Sequence, residues 1–180
     1  MTRRVNLGCG RNPVEGWWNV DRAALPGVDE LVDLDEPLPW DAGSVEAFQG
    51  IDLIEHIARP LDLMAELWRC ATPGASCYFE LPYGSSDDAW EDPTHVRPYF
   101  VGSWRYFGQP IYYRTDYGYR GDWAVRSIEL HVRPGVTAED VMFTRNTVLR
   151  QAVTLEAVKP ARPNDPTLLE TPDVRIVEVT

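Results

Sequence analysis

The residues best suited to chemistry lie in the first third of the chain. Val5-Asn6-Leu7-Gly8-Cys9-Gly10 is a strand-like run closed by a glycine turn. Asp21 and Asp33-Leu34 then close two further strand-like runs. Glycines just beyond a strand let the backbone approach a ligand and expose amide groups toward it. An acid at the end of the next strand can accept hydrogen bonds from both hydroxyls of a ribose. An acid plus the following backbone amide on a third strand can read an adenine edge. All of these fall at carboxyl ends of strands, where open α/β sheets place their ligands. A Gly-x-Gly turn alone equally describes a tight link between core strands; Asp21 and Asp33 at successive strand ends turn the reading toward a nucleoside-containing cofactor. One spacing departs from the dinucleotide fingerprint, which sets its ribose acid about 20 residues beyond the glycines. Asp21 follows Gly10 by eleven positions, which leaves no room for a full first helix.

The elements that must position these groups follow from alternation and turn signals. Residues 4–7, 17–21, 30–34 and 45–50 read as strands, and a helix is expected to begin within 52–57. The clearest helix runs from Pro60 to Ala71, with Leu61, Met64, Ala65 and Trp68 on one stripe and Glu66 and Arg69 off it. Pro73-Gly74 stops it, and Ala75 to Leu81 is a strand containing Tyr78 and Phe79. Short strands alternating with helix predict a Rossmann-like, mainly parallel α/β sheet flanked by helices. Residues 83–122, rich in Tyr, Trp, Pro, Gly and Asp, read as an aromatic insertion of the kind used for lids and binding loops. Residues 127–133 and 147–158 look like two more strands, giving antiparallel C-terminal strands. The expected organisation is one domain over residues 1–158 and an extension over 159–180. The extension ends in Val174-Arg175-Ile176-Val177-Glu178-Val179, an edge strand or a contact with another chain.

Composition narrows the partners. The 180-residue chain has a formal net charge of −11 and a single lysine, Lys159. Nucleic-acid binders usually present clustered Lys and Arg, so the balance disfavours DNA or RNA and favours a small-molecule or protein substrate. No run approaches the roughly 20 apolar residues that cross a bilayer, and the N-terminus lacks the apolar core of a signal peptide. Three cysteines (Cys9, Cys70, Cys77) cannot pair completely, and their spacing does not suggest a zinc cluster. A cytoplasmic setting is the simplest expectation, with no membrane partner. A homodimer through the C-terminal strand is a further expectation.

Taken as a string, the motifs resemble the class I S-adenosylmethionine-dependent methyltransferases, and most closely small bacterial and phage members. The resemblance is carried by Leu7-Gly8-Cys9-Gly10, Gly16-Trp17-Trp18-Asn19-Val20-Asp21 and Asp33-Leu34-Asp35-Glu36-Pro37-Leu38-Pro39. Ile54-Glu55-His56-Ile57, Pro73-Gly74 and Leu81-Pro82 continue it, so that it spans about residues 4–82, with Asp92-Pro93-Thr94-His95 also similar. The resemblance implies an S-adenosyl-L-methionine cofactor. Gly8, Cys9 and Gly10 would border its methionine part, Asp21 would hold the ribose, and Asp33 and Leu34 the adenine. Gly50, Ile51 and Asp52 would face the reacting sulfonium. The short connection to Asp21 is shared by the resembling group, whereas Asp52-Leu53 stands where its members often carry other polar residues.

Catalytic candidates are fewer. Methylating a hydroxyl or amine releases a proton, so His95, oriented by Asp92, is a candidate acceptor; a loop-packing histidine is the alternative. An Asp92/His95 metal pair shows only two ligands, and no metal is expected. His56, beside Glu55, and His131 read as structural. Trp90, Tyr99, Phe100, Trp104, Tyr106 and Phe107 could stack a planar substrate, cage the sulfonium by cation–π contact, or simply pack the insertion on the sheet. Glu80-Leu81-Pro82-Tyr83 resembles the Pro-Pro-Tyr motif of amino-methylating DNA enzymes but follows the fifth strand, not the fourth, and begins with Glu. The function implied is methyl transfer by direct displacement to a small-molecule or protein acceptor. The alternatives are a non-catalytic binding or regulatory module of the same fold and a nucleotide-dependent oxidoreductase, which the short Gly10-to-Asp21 spacing disfavours.

Overall fold

A computed structural model describes residues 3–179. Its strands are β1 (Arg3–Leu7), β2 (Trp18–Asp21), β3 (Glu30–Leu31), β4 (Val45–Ile51), β5 (Ala71–Pro82), β6 (Trp123–Val132), β7 (Val148–Ala157) and β8 (Asp173–Glu178). Its α-helices are α1 (Pro60–Cys70), α2 (Asp88–Glu91) and α3 (Ala138–Phe143). All eight strands share one sheet in the order β3-β2-β1-β4-β5-β7-β6-β8. β1 to β5 pair in parallel, β7 runs antiparallel to both β5 and β6, and β8 pairs in parallel with β6. The reversal is therefore confined to β7, and the final strand closes the sheet edge. The Rossmann-like α/β reading holds, with the antiparallel character coming from one strand slotted between two that run the other way.

Helix α1 is the crossover from β4 to β5. Pro60 opens it, where a missing N–H costs nothing, and Asp62 and Arg69 sit at the ends that favour their charges. It buries Leu63, Met64, Leu67 and Cys70. The expected stripe of Leu61, Met64, Ala65 and Trp68 shares only Met64 with that line; Leu61, Ala65 and Trp68 flank it, partly buried. Trp68 stays at the margin because its indole N–H donates to the Val158 carbonyl at 3.0 Å. Glu66 and Arg69 are not idle surface charges. Arg69 donates to the carbonyls of Trp40 (2.8 Å) and Leu38 (3.0 Å), and Glu66 accepts from the Leu38 amide (2.9 Å), which pins the loop before β4 onto the helix.

The connection from β1 to β2 contains no helix, as the short spacing requires. A buried amide ladder takes over part of its role. Asn6 on β1 faces Asn19 on β2 and Gln49 on β4 in register. Gln49 donates to Asn6 Oδ1 (3.1 Å), and Asn6 Nδ2 donates to Asn19 Oδ1 (2.9 Å). Asn19 then grips the connecting loop, accepting from the Val14 amide (2.7 Å) and donating to the carbonyls of Val14 (3.1 Å) and Trp17 (3.0 Å). Buried side-chain amides are stable only when satisfied in this way.

β3 is shorter than expected. After Leu31 the chain turns so that Val32 and Leu34 become buried and Asp33 Oδ1 accepts from the Asp35 amide at 3.0 Å. The helix expected within residues 52–57 is a single 3-10 turn, Ile54–His56. In the insertion, two 3-10 segments (Val101–Phe107 and Gln109–Tyr113) carry Trp104, Phe107 and Tyr112 into the core, and Tyr99, bridged to Tyr83 just before them, joins these. Trp104 stacks on Phe79 of β5 (centroids 5.9 Å apart) and donates to Gln151 of β7 at 2.9 Å. The last part of the chain is tied back by Arg162, whose guanidinium holds the fully buried Asp122 carboxylate at 2.8 and 2.9 Å before β8 joins β6. The three cysteines are free and buried. Among the described residues no helix is long and apolar enough to cross a membrane.

Candidate functional site

The carboxyl ends of β1 to β4 open onto a cavity of about 410 Å³. Gly8, Asp21, Asp33, Leu34 and Asp52, five of the residues singled out from the sequence, line it together. Gly8 has φ of 57°, and a Cβ there would lie 2.7 Å from Leu53 Cδ1, so both conformation and space call for glycine. Asp21 is fixed by two backbone amides, Oδ2 accepting from Gly10 (2.9 Å) and Oδ1 from Ala23 (2.8 Å). A carboxylate has about four lone-pair sites, so each oxygen keeps acceptor capacity for a ligand. Val32, Leu34, Leu53 and Ile57 supply an apolar wall beside these acids.

The other expected cofactor residues, Cys9, Gly10, Gly50 and Ile51, do not line the cavity. Gly10 serves through its amide on Asp21. Cys9 is buried, and burial, with the Asp21 charge adding, pushes its thiol up; it is packing, not a reactive group. Gly50 lies beneath the wall, where a Cβ would come within 2.8 Å of Leu53 and 3.0 Å of Phe79. Ile51 is 47% exposed and lies off the cavity. Residues that sequence reasoning did not select complete the lining: Arg22, Asp35, His56 and Thr94.

A second group of polar side chains gathers where β4 ends. Asp52 adopts φ of 48°, a left-handed conformation rare outside glycine and of the kind found at functional sites. Its carboxylate meets Arg150 at 2.6 Å, and Arg150 also holds Glu80 at 3.0 Å. Glu80, in the segment that resembled a DNA-enzyme motif, thus sits on β5 in an ion pair. Glu55 is only 3% exposed, and neither carboxylate oxygen has a hydrogen-bond partner. Burial, reinforced by the Asp52 charge, pushes its carboxyl up to about 7. The loop carrying Asp92 and His95 folds over this turn, the Val96 amide donating to the Glu55 carbonyl at 2.7 Å.

Asp92 does not orient His95. Asp92 Oδ1 is taken by the Thr94 amide (2.8 Å) and hydroxyl (2.7 Å), while Oδ2 lies 3.9 Å from His95 Nε2, too far for a hydrogen bond. His95 is oriented by its Nδ1–H, which donates to the Ala89 carbonyl at 3.2 Å. The imidazoles of His95 and His56 lie edge to face, 4.7 Å between centroids. Neither Asp92 nor His95 lines the 410 Å³ cavity; from their loop, Thr94 does. His131 lies on β6, opposite Arg150 of β7 in register, with Glu129 at 3.8 Å. None of the six singled-out aromatics lines the 410 Å³ cavity. Tyr99, Phe100, Tyr106 and Phe107, with Arg97 and Arg105, instead line a separate cavity of about 720 Å³. Trp104 is wholly buried and Trp90 is 60% exposed.

No protein-family model matches the sequence, and no curated protein matches it. Solved structures do match. An S-adenosylmethionine-dependent methyltransferase from Archaeoglobus fulgidus superposes with a TM-score of 0.61 at 16% identity, covering 86% of each chain. A second, from Mesorhizobium loti, gives 0.54 at 17% identity over 86% of this chain and 90% of that one. The fold is that of the class I S-adenosylmethionine-dependent methyltransferases. The [4+2]-cyclase SpnF also matches, with a TM-score of 0.57 at 13% identity over 87% of this chain and 76% of its own. The same fold thus carries names from more than one kind of chemistry, and the reaction has to be argued from the site.

Proposed function

We propose that the chain binds S-adenosyl-L-methionine at the carboxyl ends of β1 to β4 and is a methyltransferase acting on a small-molecule or protein acceptor. The observation that carries this reading is Asp21: a carboxylate at the end of β2, clamped by two amides from flanking turns, lining a cavity that also holds Gly8 and Asp33. When bound, the cofactor supplies a methyl group made electrophilic by its sulfonium.

The chain's own residues then bind and position. Asp21 takes the ribose hydroxyls, and Asp33 with the backbone after it reads the adenine edge against Val32, Leu34 and Ile57. Gly8 lets the β1 turn approach the ligand. Asp52, where β4 ends, faces the methionine part, its position set by Arg150. Transfer by direct displacement needs alignment and exclusion of water more than a strong base, which suits a site richer in fixed carboxylates than in free bases. Calorimetric titration of the chain with S-adenosylmethionine and S-adenosylhomocysteine tests the reading. Micromolar binding, weakened at least about 100-fold by Asp21→Ala, is the expected result. Absence of binding to well-folded protein contradicts it and returns the chain to the non-catalytic alternative.

A further inference from the structure

The fold brings together three residues that the sequence leaves scattered: Glu55, His56 and His95. One donor atom from each lies within 4.8 Å of the others, and this is the one such metal-competent trio among the described residues. Their hydrogen bonds settle what each can offer. Thr94 Oγ1 donates to Asp92 Oδ1 (2.7 Å), so toward His56 Nδ1 (3.0 Å) it can only accept, and Nδ1 carries the proton. His95 Nδ1 faces the Ala89 carbonyl (3.2 Å), an obligate acceptor, so there too Nδ1 carries the proton. Both rings are thereby held with Nε2 as the lone-pair nitrogen, each by the kind of second contact that orients metal-ligating histidines. Beside them lies the Glu55 carboxylate, with no hydrogen bond to either oxygen. Burying a carboxylate without a partner is costly, and a cation is the partner that would remove that cost.

We propose that Glu55, His56 and His95 form a binding site for one divalent first-row transition-metal ion of the Zn²⁺ or Fe²⁺ class. One carboxylate and two imidazoles are a donor set suited to such ions, and they leave coordination positions open for a substrate or water. Ligand distances of about 2.0–2.2 Å put donors on a common ion about 3.5 Å apart. Side-chain movements of about an ångström close the trio to that span. The site borders the proposed cofactor cavity, which His56 and Thr94 also line. It assigns His95 to coordination instead of proton transfer. Asp92 becomes a positioning residue acting on His56 through Thr94. Metal binding stands independently of the methyl-transfer reading, because it is measured without cofactor or acceptor.

The test is calorimetric titration of the chelator-stripped full chain with Zn²⁺, alongside the visible absorption of Co²⁺ in the same site. The expected result is one Zn²⁺ per chain, weakened at least about 100-fold by Glu55→Gln and by His95→Ala. The Co²⁺ spectrum should show d–d bands without thiolate charge transfer, since no cysteine belongs to the trio. Glu55→Gln preserves shape, so it decides the matter if His95→Ala fails to fold. No Zn²⁺ uptake by folded wild-type protein, or uptake unchanged by Glu55→Gln, overturns the proposal.

Discussion

The carboxyl edge of the sheet has two sides that treat buried polar groups in opposite ways. On the β1–β3 side the acids and amides are satisfied by the chain itself. Asp21 is held by two amides, Asp33 by one, and Asn19 by five side-chain hydrogen bonds reaching Asn6, Val14, Trp17 and Asp29. Beyond β4, Glu55 is buried and its carboxylate is bonded to nothing. The first arrangement builds a rigid rim that is complete without a ligand. The second keeps a carboxyl without a hydrogen-bond partner buried beneath the loop of residues 92–96, with His95 and Arg150 as the nearby groups that favour its charge. On the two proposals above, the first side receives a ligand and the second holds a group that a ligand would satisfy.

That contrast can be broken by substitution. Asn19→Ala on the satisfied side should have the largest effect, a loss of about 3 kcal/mol in chemical denaturation, because several buried partners lose their hydrogen bonds at once. A loss under about 1 kcal/mol would show that the amide ladder does not stand in for the missing first helix. Glu55→Gln on the unsatisfied side should act the other way. The carboxyl sits at about 7 in the folded chain against an ordinary 4.5. Its favourable contribution is therefore full below pH 4.5 and lost as pH rises through 7. In chelator at pH 8 the Gln variant should be more stable than wild type by about 1–3 kcal/mol, the two converging below pH 4.5. A variant that is less stable at pH 8 would mean that Glu55 has a partner inside the protein.

The sequence discloses the two sides unequally, for a physical reason. Glycine turns and acids at strand ends are local features, so Gly8, Asp21, Asp33 and Leu34 could be singled out from the strand pattern and the family resemblance of their motifs. The Asn6–Asn19–Gln49 ladder depends on register between three strands, which no local pattern specifies. Glu55 and His56 look like the polar start of a helix. Glu55 is buried and His56 half-buried in a turn over which residues 92–96 fold, some forty positions away, a long-range packing event. Asp92 and His95 alone do not point to a metal site; of that pair only His95 belongs to the proposed trio, and Glu55 and His56 join it from some forty positions away along the chain. The same limit explains α1, whose buried line is set by what packs on it, and β7, whose place between β5 and β6 depends on the path of the insertion before β6.

The most direct test of the central claim is a crystal structure of the chain with S-adenosylhomocysteine. The account expects the ligand in the cavity at the ends of β1 to β4, its ribose hydroxyls on Asp21 and its adenine edge beside Asp33. Density in the aromatic cavity near Tyr99 and Tyr106, or a ribose bound away from Asp21, would contradict it.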